Sequence, residues 1–150
     1  MRSITVPATD LDPTPVVEFV EEELSNHDCS DRALYQIEVA IEEIIVNIVS
    51  YAGLSDADGV EVRCEVLEDP LRVVIQFLDG GVPFDPLAKA DPDTSPEGIM
   101  DREGGLGIFM VKQMSVVRYS SRNSLCRSMR WSRAASISSS CTSLCIRFPS

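Results

Sequence analysis

An α+β fold, a two-layer sandwich of about three helices on a mixed, mainly antiparallel sheet, is what the order of patterns along this chain predicts. Three observations carry that prediction. Two helical stretches follow one another early in the chain. An alternating run and a continuous apolar run then meet at Asp69-Pro70, as the two arms of a hairpin do. Strands and helices do not alternate strictly, which a parallel wound sheet would require. The chain has 150 residues, enough to bury roughly 68–70% of the surface its unfolded form exposes without disulfides or a structural metal.

Each element has a local reason. Ile4 to Ala8 predicts a short first strand. Asp12, Pro13 and Thr14 then supply helix-starting chemistry ahead of a stripe of Val16, Val17, Phe19, Val20 and Leu24. Glu18, Glu21, Glu22 and Glu23 form the acidic face of that helix, read as solvated surface. A second, longer helix is expected from an N-cap at Ser30 or Asp31 to about Gly53, with Leu34, Ile37, Ile41, Ile44 and Ile48 on one face. Val60, Val62, Cys64 and Val66 alternate with Glu61, Arg63 and Glu65, the pattern of a half-wet strand. Val73 to Leu78 reads as a buried one. The Pro-, Asp- and Gly-rich stretch from Gly80 to Gly105 is long enough to suggest a functional loop. Gly107 to Met114 is expected to form a last helix, and Val116 to Tyr119 to begin a closing strand.

Charge divides the chain. It carries 24 acidic and 13 basic residues, a net charge of -11, yet all the acids and seven of the bases lie in residues 1–112. Residues 113–150 hold six arginines, twelve serines, three of the five cysteines and no acid. The overall balance argues against nucleic acid and anionic membrane as partners, since both reward clustered Lys and Arg. No apolar run is long enough to cross a bilayer and the N-terminus lacks a signal-peptide core, so a cytoplasmic protein is expected. The basic end shows no sustained period and is not expected to fold with the rest. The body is therefore set at 1–119, with 120–150 as an atypical Ser/Arg/Cys-rich tail. Of three readings of that tail, a shifted reading frame after about residue 115 is favoured over a flexible basic segment and over a disulfide or metal element. Zinc is disfavoured by the lack of a Cys-x-x-Cys pair and by the single histidine, His27.

Three polar groups interrupt the plan where packing alone would not place them. Glu43 and Asn47 stack one turn apart on the shoulder of the second helix's apolar stripe. Such a pair suits Mg²⁺ completed by substrate phosphates, or a carboxylate that deprotonates a nucleophile, or an ordinary boundary pair. Asp79-Gly80-Gly81-Val82-Pro83-Phe84 follows the buried strand directly. A carboxylate there can accept from a ligand's amine while the glycines admit the ligand to the backbone, although Asp-Gly-Gly is also plain turn chemistry. Glu103-Gly104-Gly105-Leu106-Gly107 runs into Ile108-Phe109-Met110. Its free N–H groups before a helix suit phosphate, and a flexible linker is the alternative. Neither GxxxxGK[ST] nor a GxGxxG after a strand is present.

Together and in this order, the three groups resemble the N, G1 and G2 boxes of the GHKL ATPase superfamily, shared by histidine-kinase catalytic domains, gyrase, the Hsp90 chaperones and MutL. The likeness covers about residues 3–119. It is nearest to the small anti-sigma-factor serine kinases of bacterial sporulation and stress pathways, through Glu-Glu-Ile-Ile-Val-Asn-Ile, Asp-Gly-Gly-Val-Pro-Phe-Asp-Pro and Gly-Gly-Leu-Gly-Ile-Phe-Met-Val-Lys. The resemblance implies the Bergerat-type ATP-binding fold, with ATP and Mg²⁺ as cofactors. Glu43 would be the catalytic base and Asn47 the Mg²⁺ ligand. Asp79 would meet the adenine amine and Gly81 would shape the adenine pocket. Gly104, Gly105, Leu106 and Gly107 would hold the phosphates, with Arg102 near the γ-phosphate and residues from about Pro86 to Glu103 as a lid. It further implies phosphorylation of a serine on a small antagonist protein, sequestration of a sigma factor, and homodimerisation. A nucleotide-gated binding module without kinase activity is the alternative. A histidine autokinase is disfavoured, because His27 lies near the end of an acidic helix. Relatives end in a strand that Arg122-Asn123-Ser124-Leu125 matches only in fragment. Its loss would leave a neighbouring strand edge open.

Overall fold

The computed structural model describes residues 1–8, 12–55, 57–83, 85, 109, 116–121 and 140–147, and in the last two segments side-chain burial only at Cys145 and Ile146. The described elements are β1 (Arg2–Pro7), α1 (Thr14–Leu24), α2 (Asp31–Tyr51), β2 (Gly59–Leu67), β3 (Arg72–Asp79), β4 (Val116–Ser121) and β5 (Ser140–Arg147). The strands form one five-stranded sheet in the order β1-β2-β3-β5-β4. All four pairings are antiparallel. Of the helix expected over Gly107 to Met114, only Phe109 is among the described residues, and it is helical.

Local chemistry explains where the helices begin. The Asp12 carboxylate accepts from the Thr14 backbone N–H at 2.9 Å and from the Thr14 hydroxyl at 2.6 Å. These bonds hold the Asp12 carboxyl below its usual range and satisfy one of the N–H groups a helix start leaves open. At the head of α2 the Ser30 hydroxyl accepts from the Ala33 N–H at 3.3 Å, an N-cap bond. α2 ends where Gly53 turns left-handed at φ 59°, a conformation glycine takes without a Cβ penalty.

The two-residue repeat of the strands then sorts side chains onto two faces. Val62 stands opposite Phe77, Cys64 opposite Ile75, and Val73 opposite Ile146. This face carries the core. Its side chains pack with Val16, Phe19, Val20 and Leu24 of α1 and with Ile37, Ile41, Ile44, Ile45 and Ile48 of α2 in one buried cluster. The predicted stripes of both helices therefore face inward, with Val17 and Leu34 partly buried at their margins. On the opposite face Arg63 holds Glu61 through two bonds of 2.8 and 2.9 Å, which lower the Glu61 carboxyl's pKa. β3 is buried on both faces from Val73 to Phe77, while β2 alternates, as the two sequence patterns predict.

Part of the acidic face of α1 has a structural use. Arg2 on β1 pairs with both Glu22 and Glu23 and lies 5.9 Å from the centroid of the Phe19 ring. His27, just past α1, has Nδ1 3.8 Å from Glu68 Oε1.

Strand structure continues into the segment set apart above as an atypical tail. β4 runs to Ser121, and β5, drawn wholly from the Ser-rich end, pairs with β3 along its full length. The edge of β3 is thus covered. The physical reason is that backbone pairing needs no apolar period, only a strand register and an anchor, and Ile146 supplies the anchor at 1% exposure.

Candidate nucleotide site

The sequence-predicted residues fall on two elements that the fold brings together at one end. Asn47 and Glu43 sit half-buried on α2. The Asn47 side-chain N–H donates to the Glu43 backbone carbonyl at 2.6 Å, back-bonding one turn along the helix. With its nitrogen so used, the amide presents its oxygen on the other side, and an oxygen is what a hard cation prefers. Burial, and secondarily the neighbouring Glu42 carboxylate, pushes the Glu43 carboxyl's pKa up. Both disfavour the charged form. A carboxylate that binds its proton more firmly than usual is a better general base.

Asp79 ends β3. The two-residue repeat puts it on the same face as Val73, Ile75 and Phe77, the face that the helices cover, and it is only 4% exposed. One of its carboxylate oxygens accepts from the Gly81 N–H at 3.0 Å. Gly81 has no room for anything larger: a Cβ there would meet the Ala52 carbonyl oxygen at 2.2 Å and the Ala52 Cβ at 2.7 Å. The next N–H, of Val82, donates to that same Ala52 carbonyl at 2.7 Å. The loop after β3 is thus seated on the last turn of α2, little more than one turn beyond Asn47.

Glu43, Asn47, Asp79 and Gly81 of the predicted set lie among the described residues, and Ala52, which touches Gly81, was not in that set. Its signal was slight: a small residue directly before the glycine that ends a helix. The other predicted residues, Arg102, Gly104, Gly105, Leu106 and Gly107, lie outside the described residues, as does the lid expected from about Pro86 to Glu103. Among the described residues no three His, Cys, Asp or Glu side chains gather into a metal cage.

An antiparallel sheet with helices on one face carries a Glu/Asn pair on its second helix and a buried Asp followed by glycines at a central strand's end, the arrangement expected of an ATP-binding domain of the histidine-kinase type. The family model for the histidine kinase-like ATPase domain matches residues 6–131. The chain belongs to that family, and membership implies ATP as its ligand. No curated protein matches the chain. Among the described residues no helix is long and apolar enough to cross a membrane.

Proposed function

We propose that this protein is an anti-sigma-factor-type regulator that uses ATP to phosphorylate a serine on a small antagonist protein and that holds a sigma factor inactive when not so engaged. The observation that supports the ATP part is the seating of the loop from Asp79 to Val82 on the end of α2, the helix that also carries Glu43 and Asn47. The kinase part is supported by the likeness of the three sequence groups to the small serine kinases and by the raised proton affinity of Glu43. Homodimerisation and a cytoplasmic location belong to the same reading.

In this reading each residue has one task. Asp79 accepts a hydrogen bond from the exocyclic amine of adenine, and Gly81 keeps the wall beside it bare. The Asn47 oxygen is the protein's ligand to Mg²⁺, which when bound neutralises phosphate charge. Glu43 takes the proton of the seryl hydroxyl as its oxygen bonds to the γ-phosphorus and the bond from that phosphorus to the ADP oxygen breaks. Gly104, Gly105, Leu106 and Gly107 offer backbone N–H groups to the phosphates, with Arg102 beside them.

Thermal melting with ATP, with and without Mg²⁺, tests the site. Ligand at about 100 times its Kd adds roughly 2.7 kcal/mol to the stability of the wild-type chain, and Asn47→Ala is expected to lose the Mg²⁺-dependent part. No shift in a folded sample would overturn the reading. A Glu43→Ala protein is then expected to bind ATP without phosphorylating the antagonist. If it switched partners normally, the protein would instead be a nucleotide-gated binding module.

A further inference from the structure

We propose that Ala52 is a positioning residue for base recognition: the end of α2 fixes where the loop after Asp79 lies, and with it the site's preference for a purine that carries an exocyclic amine. The proposal rests on the nucleotide reading above and adds to it the residue that sets the selectivity.

Three contacts form a chain from α2 to the base-reading carboxylate. The Ala52 carbonyl accepts the Val82 N–H at 2.7 Å. The Gly81 backbone lies so close that an added Cβ would stand 2.2 Å from that carbonyl oxygen. The Gly81 N–H in turn donates to an Asp79 carboxylate oxygen at 3.0 Å. Where residue 52 goes, residue 81 follows, and the carboxylate follows residue 81. Ala52 is itself held firmly. Its N–H donates to the Ile48 carbonyl at 2.9 Å, its side chain is 4% exposed, and the chain turns left-handed at the next residue.

This arrangement also meets a need of the helix. The last carbonyls of α2 have no partner further along the helix, and the Ala52 carbonyl finds one in the loop that reads the base. A hydrogen bond to an amine is directional and weakens steeply once distance or angle departs from the ideal. A side chain larger than a methyl at residue 52 would push the loop outward and turn the carboxylate away from the amine. Other parts of the nucleotide would be touched less, so the loss falls on selectivity before general affinity.

Titration calorimetry of the full chain with ATP and with ITP, whose base carries an oxygen in place of the amine, tests this. Wild type is expected to bind ATP about tenfold more tightly than ITP, the size of one well-made hydrogen bond. In Ala52→Val the ATP affinity is expected to fall to about that for ITP, with the ITP affinity moving less than about threefold. Ile37→Val, a remote core change, lowers the melting temperature and keeps the preference, which separates positioning from mere destabilisation. Should Ala52→Val not fold, Val82→Pro removes the N–H donor at a side chain that is 65% exposed, and the same loss of preference is expected. An ATP preference retained in either folded variant overturns the proposal alone. Wild type that binds neither nucleotide overturns it together with the nucleotide reading.

Discussion

β3 and β5 run side by side from Arg72 opposite Arg147 to Asp79 opposite Ser140, and different forces hold them there. β3 buries every side chain from Val73 to Phe77. It would seek the middle of a sheet whatever its neighbours were. β5 reads Ser-Cys-Thr-Ser-Leu-Cys-Ile-Arg and, among its described side chains, sets only Ile146 into the core. Its described contribution to the core is that one anchor, and along its whole length it pairs with the edge that β3 offers. One strand is specified by its own composition and the other by its neighbour.

The sharpest way to break that contrast is to empty the β3 side. Phe77 is fully buried, and Phe77→Ala is expected to cost about 3–5 kcal/mol, read as a lower midpoint in urea denaturation. Ile146→Ala comes next. A cost of about 2–3 kcal/mol is expected, toward the low end because β5 has only the edge strand β4 beyond it and the site can relax. Hydrogen exchange should then show β4 and β5 losing protection while β1 to β3 keep theirs, whereas equal loss across the sheet would contradict the account of β5 as the dependent strand.

The smallest effect carries the comparison to α2, where burial acts on a charge. Because the Glu43 carboxyl's pKa is raised in the folded protein, the native state takes up a proton more readily than the unfolded chain does. The stability tied to that proton is fully present below the ordinary glutamate range and is lost as pH rises through the raised value. Glu43→Gln removes the dependence. Its melting temperature should match wild type in acid, rise above it across that window and stay above it at higher pH. A difference that does not vary with pH would refute the assignment.

How much could be read in advance follows the same division. The Ser30 cap, the isoleucine stripe of α2 and the alternating run of β2 are local signals, and each stands where its residues predict. Asp79 was legible as a carboxylate at the end of an apolar run, and the fold adds that it lies beneath the helices. The contact of Gly81 with Ala52 was not legible, because it joins residues far apart in the chain and depends on a carbonyl that every residue type carries. β5 was missed for a related reason: only Leu144 and Ile146 of its eight residues are aliphatic, too few for a search for apolar alternation to pick out.

Cys64 gives the sheet a clock. It lies in β2 opposite Arg2 on one side and Ile75 on the other, is fully buried, and burial above all pushes its thiol up to about 12. At pH 7 about one such thiol in 10⁵ is ionised, and alkylating reagents react with the thiolate. Modification of Cys64 must therefore wait until β2 parts from its neighbours and water reaches the sulfur. The pace of that labelling measures how often the centre of the sheet opens.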